Sequence, residues 1–339
     1  METILCLAHT DESNQLPKAA LEALAAARAL ADSLPGSTFV AGVVGGAVDA
    51  AAGPMSGAGA SRVLGVAGEA FAKARYASDA AAVEAICRAA SATIVVAPAT
   101  SRFSRVIAGV AHRVGGRADT HVAGVTVADG KPVISRWYYR QRMVATLGRA
   151  QRPWFIALDP GSVAPWAGAA GGASVETVDV AAPESRTRVV GEQAPAASQQ
   201  TIRPDADLLF VAGAGWCKKQ RDGQLRAETA AGLILGFLNK STASLGSSKS
   251  LVDQAGEGNA VLPFMTHLNQ VGQTGSTPRH PKGLATCCHG EEPHVVGWRF
   301  VNERRAINLD PNCGWAHGKA DVLYVADAFE VMTKVNELL

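Results

Sequence analysis

The chain has 339 residues, of which 47% are hydrophobic and 18% charged, with a formal net charge of +2. That length supports two separate cores, and that composition excludes general disorder. So small a net charge gives no reason to expect nucleic acid or an anionic membrane surface as a partner. Apolar runs are short and broken by Gly, Asp or Arg, so nothing reads as membrane-embedded. Met1-Glu-Thr-Ile-Leu-Cys-Leu-Ala8 leads directly into a strand-like segment. It fits neither a signal peptide nor an Arg-rich transit sequence, and a cytoplasmic protein is expected.

The first half alternates strand-like and helix-like segments. Ile4–Leu7 reads as a short buried strand, Lys18–Leu34 as an Ala/Leu-rich helix and Thr38–Val44 as a strand. Gly45–Ala60 is Gly/Ala-rich and reads as a loose loop. Ser61–Gly65 is a further strand, Ala80–Ala90 a helix and Ala92–Ala97 a buried parallel-type strand. Pro153–Ala157 is another strand, and Val163–Ser174 another loop. Residues 190–206, with Pro195, Ser198 and Pro204 among few apolar side chains, suit an exposed linker. Alternation resumes with a strand at Asp207–Ala212, a Gly213-Ala-Gly215 turn and a helix over Leu225–Leu238. The expected fold class is α/β in two domains, residues 1–189 and 207–339, each a mainly parallel sheet flanked by helices.

Six cysteines, Cys6, Cys87, Cys217, Cys287, Cys288 and Cys313, form no paired framework. Cys313 and His317 are one pair at ligand spacing, short of a metal site, so no metal is expected. Trp137, Tyr138 and Tyr139 beside Arg140 and Arg142 fit equally a partner surface or aromatics packed at a sheet edge. Arg299, Arg304 and Arg305 read as a solvated face, and Trp298 as core.

Function-bearing residues concentrate in the last third. Gln270-Val-Gly-Gln-Thr-Gly275 lets backbone approach a ligand closely while polar side chains point at it. Ala306-Ile-Asn-Leu-Asp-Pro311 reads as a strand end spilling polar side chains into a crevice, where an open parallel sheet holds dinucleotide-type ligands.

Taken in order, Gly213-Ala-Gly215, Gly246-Ser-Ser-Lys-Ser-Leu-Val-Asp253, Gln270–Gly275, Cys288-His-Gly-Glu-Glu-Pro-His294, Ala306–Pro311 and Val325-Ala-Asp327 resemble the FAD domain of the electron transfer flavoprotein α subunit. Ala97-Pro-Ala-Thr100 and Ser185-Arg-Thr-Arg188 add weaker similarity in the first half. The resemblance implies a Rossmann-like C-terminal domain holding one FAD, and a heterodimer with a smaller β subunit that carries AMP. It implies an electron carrier without its own substrate, which accepts electrons from flavoprotein dehydrogenases and passes them to a membrane quinone oxidoreductase. By position, it assigns His294 to the negative charge that develops near the flavin N1 and C2=O on reduction. Thr274 takes a contact near N5, with Gly272, Gln273 and Gly275 around it. Ser248 and Gln270 go to the diphosphate or ribityl region, and Asn308 and Asp327 to the adenosine half, with Asp310 also in the cofactor-binding set. Gly213, Lys249, His289 and Gly290 complete the expected set.

Several positions depart from the family pattern. Lys249 stands where the family has Arg, a point charge in place of a planar fork that stacks on aromatic systems. His289 replaces the family's Ser, Pro293 its Gln, and Glu291 and Glu292 add acids to the loop. Gly256–Leu268 is longer than the family's segment. The rival reading is a stand-alone FAD or nicotinamide oxidoreductase, although Gly213-Ala-Gly215 has Lys218 where a dinucleotide fingerprint needs its third Gly.

Overall fold

In the computed structural model the described residues are 1–138, 143–184, 186–191, 202–203, 206–257, 260–271, 280–286, 301–313, 316 and 320–339. Two units, Met1–Glu192 and Gln193–Leu339, each carry their own sheet.

Unit 1 begins with β1 (Thr3–His9), whose Ile4–Ala8 are fully buried. A run buried on both faces is what a central parallel strand requires, each large apolar side chain contributing about 1.5–3 kcal/mol. Helix α1 (Lys18–Ser33) buries Ala20, Ala23, Leu24, Ala27 and Leu30, spaced by threes and fours along one stripe. Pro17 stands at its N-cap, and Gly36 at φ 76° turns the chain after it. Next come β2 (Thr38–Gly45), α2 (Asp49–Gly57), β3 (Val63–Ala67), α3 (Glu69–Ala72), α4 (Tyr76–Ala89), β4 (Ile94–Pro98), α5 (Ser101–Ser104) and α6 (Ile107–Arg113). Strands β5 (Arg117–Ala128), β6 (Lys131–Tyr138), β7 (Met143–Leu147), β8 (Trp154–Leu158) and β9 (Glu176–Thr177) complete the unit. The nine-stranded sheet runs β7-β6-β5-β8-β4-β1-β2-β3-β9. Only the β5–β6 and β6–β7 pairs are antiparallel among the pairs described. Cores on both faces make it the α/β architecture expected.

The Gly45–Ala60 expectation fails, because α2 occupies most of that segment. Ala51, Ala52 and Met55 form a small buried face, and Asp49 sits in the first turn where the helix dipole favours an acid. The small residues permit close packing rather than looseness. Gly171 N–H donates to Gly53 C=O at 2.8 Å, and a Cβ on Gly57 would stand 2.0 Å from the Ala169 carbonyl oxygen. Val163–Ser174 carries no regular element, as expected, yet it is docked, with Trp166 N–H on Leu21 C=O at 3.0 Å.

Unit 2 comprises β10 (Leu208–Ala212), α7 (Ala227–Lys240), β11 (Ser244–Ser247), α8 (Lys249–Asp253), β12 (Lys282–Thr286), β13 (Glu303–Asn308), β14 (Val322–Val325) and α9 (Ala328–Leu338). Its five-stranded parallel sheet runs β11-β10-β12-β13-β14. A parallel bridge from Ser247 to Gln270 continues the order beyond β11. The chain therefore winds outward from β10 in one direction and from β12 in the other. The reversal opens a crevice at the carboxyl ends of β10 and β12. Leu262, within the long Gly256–Leu268 stretch, is buried with Trp216 and Phe329 in the core on one face.

Candidate functional site

The carboxyl edge of the second sheet is stitched by backbone hydrogen bonds from the loops that leave it. Gly213 N–H donates to Thr286 C=O at 2.8 Å, Ser248 N–H to Ala212 C=O at 2.9 Å, and Val271 N–H to Ser247 C=O at 3.0 Å. Gly213 follows β10, Ser248 follows β11, Gln270 borders β11, Asn308 ends β13 and Asp327 follows β14. Residues scattered through the sequence thus share one edge. Gly272, Gln273, Thr274, Gly275, His289, Gly290 and His294 lie outside the described residues, as do Tyr139, Arg140, Arg142, Ser185, Cys287, Cys288, Trp298, Arg299 and His317.

The strand registers define a row across this edge. Gln270 pairs with Ser247, Ser247 with Ala212, Ala212 with Thr286, and Thr286 with Ile307. Register partners on adjacent strands project from the same face. At Thr286 the hydroxyl accepts the Trp216 indole N–H at 2.8 Å and donates to Val211 C=O at 3.1 Å. At the other end, Ser247 Oγ and Gln270 Nε2 are buried without a hydrogen-bond partner among the described residues. Ser247 is 0% exposed and Gln270 4%. Such a group costs about 1–3 kcal/mol when left unmet, so each needs a reason. Unmet atoms elsewhere are partly excused by their own groups. The Arg75 and Arg136 guanidinium groups bond through other nitrogens, and Asn336 through its amide nitrogen.

Side chains already engaged restrict what the edge can do. Ser248 caps α8, its hydroxyl accepting Leu251 N–H at 3.2 Å and keeping its own proton to donate. Lys249 opens α8, with Nζ 2.9 Å from the Asp253 carboxylate. Asp327 caps α9 by accepting Phe329 N–H at 2.8 Å. Asn308 Oδ1 accepts Asp310 N–H at 3.1 Å, and Asp310 accepts Asn312 N–H at 2.8 Å. After the Gly213 turn comes a 3-10 turn, Ala214–Cys217, and α7 starts only at Ala227. The glycine turn therefore does not open a helix, as a dinucleotide fingerprint requires to seat its pyrophosphate.

Sequence reading missed Ser247, Trp216 and Thr286. Ser247 lies in a quoted motif but drew no role, because only its register with Gln270 gives it one. Trp216 carried no periodic signal in its glycine-rich surroundings.

The equivalent edge of unit 1 is filled from within. Burial pushes His9 down from its ordinary value, which leaves the ring neutral at pH 7. Its Nδ1–H then donates to Thr10 C=O at 3.1 Å, and Nε2 accepts the Thr100 hydroxyl at 2.9 Å. The ring also packs edge-on against Phe103, 5.0 Å between centroids. Thr100 also accepts Phe103 N–H at 3.3 Å as the cap of α5. The Thr10 hydroxyl has no partner among the described residues and faces Gly45, where a Cβ would stand 2.0 Å away. Close by, buried Arg102 and Asp79 pair and tie α5 to α4.

Arg136 and Tyr138 flank Trp137 and contact each other. The Arg136 guanidinium lies 4.6 Å from the Tyr138 ring centroid and 3.1 Å from Asp119. Arg304 pairs with Asp321 at 3.0 Å, and Arg305 donates to the Tyr324 hydroxyl at 3.1 Å. Burial pushes the thiols of Cys6 and Cys87 up to about 12 and that of Cys217 up to about 11, so all three stay protonated at neutral pH. Among the described residues no cluster of His, Cys, Asp or Glu could hold a metal ion, and no helix is long and apolar enough to cross a membrane.

No curated protein matches the chain. A family model, the electron transfer flavoprotein domain, matches residues 4–184, more than half of its length. The chain belongs to the electron transfer flavoprotein domain family.

Proposed function

We propose that this chain is the α subunit of an electron transfer flavoprotein and that the carboxyl edge of its second sheet holds FAD. The observation that carries the reading is the convergence of Gly213, Ser248, Gln270, Asn308 and Asp327 on that edge, beside the reversal in strand order. The donor set suits the group. Ser248 has a hydroxyl proton to give, Gln270 a buried amide nitrogen with no partner among the described residues, and Asp327 a carboxylate that can take ribose hydroxyls.

The flavin ring, when bound, supplies the redox chemistry. The chain binds, orients and tunes. Ser248 and Gln270 donate to the diphosphate or ribityl oxygens, and Asn308, Asp310 and Asp327 hold the adenosine half. Gly213 and the glycines Gly272, Gly275 and Gly290 let backbone come close. Thr274, with Gln273 beside it, donates near N5. His294 places a donor where negative charge gathers, His289 belongs to the same loop, and Lys249 adds a positive charge. The chain has no substrate of its own. It pairs with a β subunit carrying AMP, receives electrons from flavoprotein dehydrogenases and delivers them to a membrane quinone oxidoreductase.

Co-expression with a candidate β subunit tests the pairing. A tagged chain that brings the small subunit down in equal amount supports it. A lone chain that oxidises a small substrate with a nicotinamide acceptor would replace this reading with the enzyme alternative.

A further inference from the structure

Ser247 has a buried hydroxyl at the last position of β11, and no described residue of unit 2 hydrogen-bonds it. Its backbone carbonyl is already used by Val271 N–H at 3.0 Å. Its register partner Ala212 shows that the row accepts a plain methyl, and Leu245, two residues back on the same face, is apolar core. Alanine at 247 would thus satisfy packing, yet the chain keeps an oxygen that is 0% exposed and has no partner among the described residues. The neighbour in register is Gln270, whose Nε2 is in the same condition. Two unmet donors in register at the carboxyl edge of the sheet suit an oxygen-rich acceptor.

We propose that Ser247 is a further cofactor-holding residue, its hydroxyl donating beside Gln270 Nε2 to the oxygens that link the two halves of a flavin dinucleotide. This rests on the proposed FAD site, within which it adds a position that the motif resemblance left without a role. Ser248, next in the chain, spends its acceptor capacity on capping α8, whereas Ser247 spends none within the described residues. Ser247 therefore contributes to affinity alone and the folded apoprotein does not depend on it.

The test is FAD titration of the full chain, stripped of flavin and paired with its small subunit if one copurifies, followed by flavin fluorescence. Ser247→Ala is compared with wild type, together with the thermal midpoint of each apoprotein. The expected result is an FAD Kd weaker by about tenfold, the loss of one hydrogen bond to a ligand, with an apoprotein midpoint equal to wild type or higher. A Kd within twofold of wild type overturns the proposal. So does a lowered apoprotein midpoint, which would make the hydroxyl a structural group. Wild type that binds no FAD fails the site reading itself, an outcome distinct from a wild type that binds and a variant that binds equally.

Discussion

Trp216 and Thr286 join the glycine turn after β10 to the end of β12, the indole N–H reaching the hydroxyl at 2.8 Å where the strand order reverses. The Trp216 ring also packs on Phe329, 4.6 Å between centroids, so one side chain ties this edge to α9. Thr286→Val would leave a buried indole N–H unmet and should cost about 1–3 kcal/mol in urea unfolding. Trp216→Phe leaves Thr286 its bond to Val211, and the double variant should lose less than the sum of the single ones. Strict additivity would show that the pair does not act as a unit.

Lys249 is held by Asp253 at 2.9 Å, and His267 Nε2 approaches the same carboxylate at 3.7 Å. If the Lys249 charge acts on the flavin, the pair tempers it. Asp253→Asn should raise the flavin midpoint potential by roughly 20–40 mV, equivalent to about 0.5–1 kcal/mol for a one-electron step. Lys249→Arg should stabilise the reduced flavin by restoring the planar group of the family. Redox titration reads both, and potentials unmoved by either change would remove Lys249 from the site.

His294 is expected to donate to charge that appears only on reduction. Replacing it with Ala should lower the first reduction potential while leaving the affinity for oxidised FAD within a few-fold of wild type. An unchanged potential would place His294 away from the ring.

Asp119, buried on β5, contributes to the acid stability of unit 1. Burial pushes its carboxyl up, but the Arg149 guanidinium at 2.6 Å, the Trp154 indole N–H at 2.9 Å and Arg136 at 3.1 Å outweigh this and hold it below its ordinary 3.8. A group depressed in the folded state stabilises above its unfolded pKa and loses that contribution as pH falls through the folded value. Asp119→Asn should therefore cost about 3 kcal/mol at pH 7, and the gap should narrow only below about pH 4. A gap that is constant from pH 7 to pH 2 would mean that charge plays no part.

Much of the fold was legible because buried parallel strands write themselves as apolar runs. Ile4–Leu7 and Ala92–Ala97 fall on β1 and β4, and the Ala/Leu stripe of Lys18–Leu34 on α1. What stayed hidden had specific causes. Strand β5 breaks the period-two signal at a bulge between Asp119 and Val122, where His121 takes φ 57°. Helix α2 is made of small residues whose burial depends on a partner segment more than a hundred residues on, joined through Gly53 and Gly171. Gly213, Ser248, Gln270, Asn308 and Asp327, which lie along one sheet edge, stood out by their order along the chain. Ser247 did not, since its meaning lies in the strand register with Gln270.

The most direct measurement is the absorbance spectrum and flavin content of the chain purified with a co-expressed candidate small subunit. The account predicts a two-band flavin spectrum and one FAD per chain released on denaturation, with the content falling in Gln270→Ala. A colourless complex that also takes up no added FAD would contradict it, leaving a family fold whose carboxyl edge no longer holds the cofactor.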